Sequence, residues 1–209
     1  MDRRERGHRV FAAIYDLQTR PLEKGWLGER RARLLRDLEG EVLEIGAGTG
    51  ANLPHYRAAS RVVVSEPDPA MRRRLADRVE QAAVPVEVRQ DTADSLPDPD
   101  GRFDAAVYTL VLCTVPDPNR ALAEAFRVLK PNGRLVVLEH VRGSGRLAVW
   151  QDRLDPLWSR VGAGCHPNRD TRAAIERAGF ALEHFEAFQP MPRWVLTSPM
   201  IEAVATRAG

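Results

Sequence analysis

Residues 42–51 read Val-Leu-Glu-Ile-Gly-Ala-Gly-Thr-Gly-Ala. Gly46, Gly48 and Gly50 therefore alternate with small side chains directly after an apolar run. Glycines placed this way let the chain turn sharply and bring main-chain amides close to a ligand. Glu66 closes the next apolar run, RVVVSEP, 20 residues after Gly46. A carboxylate there can accept two hydrogen bonds from a ribose diol. Together they describe an adenosine-bearing ligand at the C-terminal edge of a sheet. The run Gly46 to Ala51 also fits the dinucleotide pattern G-x-G-x-x-G/A, so by pattern alone NAD and FAD stay open. Glu44, two residues before Gly46, repels a pyrophosphate and attracts an ammonium or a sulfonium.

Such a loop needs strands and helices to hold it. EVLEIG, RVVVSEP, PVEVRQ, FDAAVYTLVL and GRLVVLEHV are short apolar runs that read as buried strands. PAMRRRLADRVEQA and RALAEAFRVLK read as helices, the second stopped by Pro131 and Gly133. Two more helices, over residues 5–19 and 23–38, precede the loop, and the glycines themselves lead into a helix. A helix at 170–178 comes late in the chain. ALEHFEAF and RWVLTSP then read as two strands joined by QPMP, a connection short enough to demand an antiparallel pair. The expectation is an α/β fold of one domain over residues 1–209. It is a Rossmann-like, doubly wound, seven-stranded and mostly parallel sheet that ends in an antiparallel hairpin, with helices on both faces. The preceding helices, the terminal hairpin and Glu44 favour S-adenosylmethionine (SAM) over a dinucleotide.

Composition narrows the partners. The 209 residues are 44% hydrophobic and 29% charged, with a formal charge of +2, which gives no overall pull toward nucleic acid. There is no basic–aromatic stripe and no Asn/Asp-Pro-Pro-Tyr motif, so a small-molecule substrate is expected and a nucleic acid is not. The start MDRRERGHRV lacks the apolar core of a signal peptide, and no window has the apolar length of a membrane span. A cytoplasmic protein is expected. Arg3, Arg4, Arg6 and Arg9 could touch anionic lipid, although a solvated helix face is the plainer reading. Cys113 and Cys165 are far apart and lack metal-ligand spacing. They read as free thiols, with no metal site.

EIGAGTG, Glu66, QDTADSLP, FDAAVYTLVLCTVPDP and RVLKPNGRLVVLEH resemble a class I SAM-dependent methyltransferase. Within that superfamily the chain is similar to small-molecule enzymes of the ubiquinone-methyltransferase type. TLVLCTV, LEHV, WQDRLDPLW and GCHPNRDT resemble alkyl-thiol methyltransferase-like proteins more closely. The resemblance implies that Glu44, Gly46, Ala47, Gly48 and Gly50 surround the methionine half of SAM. It implies that Glu66 holds the ribose hydroxyls and that Pro67 and Met71 pack near the adenine. Asp91, Thr92 and Ala93 would read the adenine edge, and Thr109, Leu110 and Val111 would line the sulfonium side. The product is then S-adenosylhomocysteine (SAH).

Methyl transfer from a sulfonium is an in-line displacement, so the protein mainly aligns the reactants and excludes water. A base is needed only if the acceptor must lose a proton. Tyr15, His140 and His166 are the leading catalytic candidates, with Asp152 and Asp155 behind them. Cys113 reads as an inert buried residue. Trp26, Trp150, Trp158 and Trp194, with Leu154, Leu157 and Phe188, either form an apolar cap or pack the helix layers. Residues 1–38 and the helical insertion 141–172 are expected to act as a substrate lid. Three functions follow: methyl transfer to a small, fairly apolar acceptor, with a thiol favoured by the resemblance; methylation of a phospholipid or quinone at a membrane surface; or non-catalytic SAM binding. An NAD-dependent oxidoreductase is weakened, because there is no Tyr-x-x-x-Lys pair and Lys24 and Lys130 are the only lysines.

Overall fold

The computed structural model describes residues 16, 17 and 19–209. Its strands are β1 (Gly40–Ile45), β2 (Ala59–Ser65), β3 (Val86–Arg89), β4 (Phe103–Thr109), β5 (Leu129–His140), β6 (Phe180–Phe188) and β7 (Met200–Arg207). They form a seven-stranded sheet in the order β3-β2-β1-β4-β5-β7-β6. The chain divides into two compact units between Thr92 and Ala93.

In the first unit β1 pairs with β2 and β2 with β3, all parallel. Val62, Val63 and Val64 are buried in succession. Unbroken burial of this kind marks a strand covered on both faces, which is why the sequence shows a continuous apolar run there rather than alternation. Helix α1 (Trp26–Leu35) precedes the sheet. The expected continuous helix over 23–38 is interrupted, because residues 19–23 are helical and Lys24 and Gly25 turn. Gly25 leaves helical geometry at φ −121°, ψ −136°. The turn folds so tightly that a Cβ on Gly28 would stand 2.0 Å from the carbonyl oxygen of Glu23. Leu27, Leu35 and Leu38 are buried, and Leu34 is half-buried. The expected helix over 5–19 lies largely outside the described residues. Helix α2 (Pro69–Val79) starts where Asp68 accepts from the amides of Ala70 and Met71, at 2.6 and 3.1 Å, with Pro69 at the first position.

In the second unit β4 and β5 are parallel, and β7 runs antiparallel to both β5 and β6. Helices α3 (Pro118–Val128), α4 (Gly145–Val161) and α5 (Thr171–Arg177) complete it. Pro131 and Gly133 do not end α3. Leu129 already has extended dihedrals, is fully buried and pairs with Phe103. The ladder then resumes at Ala105 opposite Arg134, so residues 130–133 form an irregularity that can hold a proline lacking its N–H.

The antiparallel ending is present, but its second strand is not RWVLTSP. Residues 193–198 are turns, and the connection from β6 to β7 spans 189–199. Val195 N donates to Pro192 O, and the Ser198 hydroxyl donates to Met191 O at 2.6 Å. These bonds wrap the segment on itself and leave Trp194 79% exposed. MIEAVATR is the true strand, and it buries Met200, Ile201, Ala203 and Ala205. No described helix is long and apolar enough to cross a membrane.

Candidate active site

Gly46, Gly48 and Gly50 all have positive φ, at 68°, 57° and 86°. The loop does not lead into an α-helix as expected. It closes in a 3-10 turn at Leu53–His55, where Pro54 lacks an amide hydrogen and Asn52 is held by side chains on both sides. A dinucleotide loop relies on the N-terminus of a following helix to hold its pyrophosphate. This chain has the glycine pattern without that helix.

The glycines differ in what surrounds them. A Cβ on Gly50 would stand 2.7 Å from Leu75 Cδ1, so α2 packs directly on the loop there. A Cβ on Gly48 would meet nothing within 4 Å. Gly50→Ala is therefore expected to cost about 2–4 kcal/mol from overpacking and the left-handed backbone together. Gly48→Ala should cost only about 1–2 kcal/mol of backbone strain while placing a methyl group on the ligand side of the loop. Thermal melts should show the larger drop for Gly50→Ala, and SAH titration the larger affinity loss per degree of melting for Gly48→Ala. Equal melting points for the two variants would contradict this assignment.

Glu66 is buried at the end of β2. Its Oε2 accepts from the Gly48 amide at 2.7 Å and its Oε1 from the Asp68 amide at 2.8 Å. Burial raises its pKa, and the two amides work against that rise. An ionised carboxylate has about four acceptor positions, so two remain for ribose hydroxyls. Ser65 Oγ donates to Asp91 O at 2.6 Å and fixes the end of β3. The Asp91 carboxylate is half-buried and has no hydrogen-bond partner among the described residues. Pro67 and Thr92 are exposed, whereas Met71, Ala47 and Ala93 are buried.

Glu44 is turned inward rather than left open to a ligand. Its carboxylate accepts from Asn52 Nδ2 at 3.1 Å and from the Tyr56 hydroxyl at 2.8 Å. Arg31 in turn donates to Asn52 Oδ1 at 2.6 Å. Burial pushes the Glu44 pKa up to about 7, against those donors and the Arg31 charge. These bonds tie the strand end to the loop. A tie absent from the sequence reading joins Asp16 to the same loop. Thr49 Oγ1 donates to Asp16 Oδ1 at 2.7 Å, and Arg74 and Arg78 pair with the same carboxylate at 2.9 and 3.4 Å.

In the second unit Leu110 has φ 60°, a left-handed conformation that a branched side chain rarely adopts. Its amide donates to Leu138 O, and the next two amides, Val111 and Leu112, donate to Glu139 Oε1 at 2.6 and 2.7 Å. Glu139 is fully buried, and burial pushes its pKa up to about 7 against those donors. Thr109 and Leu110 are half-buried, and Val111 is buried.

The two cysteines, far apart in sequence, meet at His140. His140 Nδ1 lies 3.8 Å from Cys165 Sγ and 4.0 Å from Cys113 Sγ. Cys165 is held below the usual thiol range, first by a hydrogen bond from Cys113 and then by His140, while Cys113 is pushed up by that same bond and by burial. Cys113 is thus a partner in a polar cluster rather than an inert core residue. His166 Nδ1 lies 2.9 and 3.0 Å from the two carboxylate oxygens of Asp155 on α4. The His166 amide donates to Cys113 O at 2.7 Å, and Arg169 donates to Leu112 O. Asp152 is instead an exposed partner of Arg142 at 2.6 Å. Tyr15 lies outside the described residues. Of the residues weighed as an apolar cap or as helix packing, Trp150 is 50% exposed and Leu157 and Trp194 more so. Trp26, Trp158, Leu154 and Phe188 are half-buried.

A methyltransferase-domain family model matches residues 43–137. Thiol S-methyltransferase TMT1B of Rattus norvegicus is 36% identical over 191 residues, covering 83% of this chain and 75% of the relative. Demethylmenaquinone methyltransferase of Deinococcus radiodurans is 30% identical over 207 residues, covering 92% and 86%. The [4+2]-cyclase SpnF superposes with a TM-score of 0.70 at 22% identity, over 87% of this chain and 80% of that one, and that likeness concerns the fold alone. The family rests on the two sequence relatives and on the glycine loop with Glu66 that the structure joins, and the chain belongs to the class I SAM-dependent methyltransferases.

Proposed function

We propose that the chain transfers a methyl group to the thiol of a small, fairly apolar molecule. The observation that carries this reading is the His166–Asp155 pair. A carboxylate on Nδ1 fixes the ring and its tautomer and leaves Nε2 able to take a proton. A neutral thiol is a poor nucleophile until it loses its proton, so an oriented base suits such an acceptor. The relatives named as thiol S-methyltransferases point the same way. When bound, SAM supplies a methyl group already activated by its sulfonium. Gly48, with its unobstructed backbone, Glu66, with acceptor capacity to spare, and Asp91, with an unpartnered carboxylate, fit the amino-acid, ribose and adenine parts of that cofactor.

His166 takes the thiol proton as the sulfur attacks the methyl carbon and the old carbon–sulfur bond breaks. SAH and a thioether are left. Asp16 and Arg31 brace the glycine loop through Thr49 and Asn52. The two unpaired thiols suit a reducing compartment such as the cytoplasm.

Titration of the full chain with SAM, SAH and NAD tests the cofactor, followed by mass-spectrometric assay against alkyl thiols, phenols, amines, quinols and lipid vesicles. SAM and SAH should bind, NAD should not, and thiols should be methylated fastest. Methylation confined to the quinol or the lipid would replace the thiol by the menaquinone-type acceptor. SAH binding with no turnover on any acceptor would leave a non-catalytic SAM-binding protein.

A further inference from the structure

We infer that Cys113, His140 and Cys165 form a three-ligand site for a zinc ion whose fourth position takes the acceptor thiol. The site rests on geometry within the second unit. The two Sγ atoms and the histidine nitrogen all lie within 4.8 Å of one another. Bonds of about 2.3 Å to sulfur and about 2.0 Å to nitrogen at tetrahedral angles put sulfur and nitrogen about 3.5 Å apart. The observed sulfur–nitrogen separations are 3.8 and 4.0 Å, within about half an ångström of that value. Two thiolates and one imidazole select a borderline-soft ion over magnesium or calcium.

The backbone holds the ligands in place without the ion. His140 ends β5 in register with Met200. Cys113 follows the strained Leu110, its amide reaches Glu139 Oε2 at 3.4 Å, and its carbonyl accepts from His166. Cys165 sits in a tight turn in which Ala163 and Gly164 have positive φ and its own amide donates to Gly162 O at 3.0 Å. Both cysteines are buried, while His140 is half-buried, so the site is enclosed but reachable. Trp158 Nε1 is buried beside Cys165 with no partner at ordinary hydrogen-bond geometry, and it acts on the Cys165 sulfur, the acceptor that a metal-bound thiolate would offer it. The surrounding charges are the carboxylates Glu139 and Asp155 and the guanidinium of Arg169. Two metal-bound thiolates and the Asp155 carboxylate, with a part charge on Glu139, against one arginine leave room for a divalent cation.

Three protein ligands with one open position is the arrangement of catalytic rather than structural zinc. A thiol entering that position replaces a water, gives up its proton and binds as a thiolate. His166, adjacent to Cys165 in the chain, is the base that receives the proton. Once methylated, the sulfur is a neutral thioether and a weak ligand, so the zinc–sulfur bond breaks and the product leaves. This deepens the thiol reading and rests on it, because no other acceptor considered above would need a thiophilic site.

Cobalt(II) reports on such a site without any assay of turnover. The full chain, stripped with a chelator, should bind one equivalent of cobalt with thiolate-to-metal absorption in the near ultraviolet and strong visible bands of a four-coordinate ion. Zinc should displace it. Cys165→Ser and His140→Ala, each shown to be folded by wild-type SAH affinity, should lose the signature and bind cobalt at least about tenfold more weakly. Ethanethiol, a monodentate thiol, should shift the visible bands of the cobalt-loaded chain. Absence of thiolate–cobalt absorption in the wild-type chain would overturn the site. Absorption that ethanethiol leaves unchanged would overturn its role in holding the acceptor. A cobalt signature in a chain that methylates no thiol would keep the metal site and overturn the thiol reading instead.

Discussion

Glu66→Ala should weaken SAH binding by at least about a hundredfold. Two charge-assisted hydrogen bonds to the ribose hydroxyls are each worth about 1.5–3 kcal/mol net, and 1.4 kcal/mol is a factor of ten. The structure adds a second source of loss. The same carboxylate holds the Gly48 and Asp68 amides, so its removal also loosens the loop that meets the ligand. The fold should survive, since β2 is anchored by Val62 to Val64 and not by the residue that follows its end. Glu66→Gln should recover little, because its amide group brings a donor against one of two backbone donors. Calorimetric titration beside a thermal melt separates the two effects. An unchanged dissociation constant in a folded Glu66→Ala variant would show that the ribose is held elsewhere.

His166→Gln should lower kcat for alkyl thiols by about 10²- to 10⁴-fold, the usual range for losing a general base. SAH binding should be unaffected, because the cofactor residues named above do not include it. An aryl thiol that is already ionised at neutral pH needs no base, so the variant should methylate it at close to the wild-type rate. Asp155→Asn should produce a smaller loss with the same acceptor dependence, since Asp155 acts by orienting the ring. A structural defect would slow both acceptors equally. Equal losses with the alkyl and the aryl thiol would therefore remove His166 from the chemistry.

Much of this site can be read along the chain, and the reason is distance. Gly46, Gly48, Gly50 and Glu66 belong to one strand–loop–strand unit, and their spacing alone sets where they meet. Asp68 and Asp117, which the structure shows as helix caps, act just as locally, on amides two or three residues away. Apolar runs marked six of the seven strands. They failed at RWVLTSP, where an apolar stretch looks like a strand but its hydrogen bonds close within the segment.

What the sequence determined by itself is the first six strands, the glycine loop and the acidic strand end, all set by local steric and hydrogen-bonding rules. The tertiary structure decided which distant polar groups face one another. Cys113, His140 and Cys165 come from three separate segments and meet where β5 ends. Asp16 reaches Thr49 across 33 positions, and Glu44, which by charge should face a cation, is enclosed by Asn52 and Tyr56. A side chain's ligand, partner or proton depends on what packs against it. That packing is fixed by burial of the whole apolar surface and leaves no mark in the spacing of any one segment.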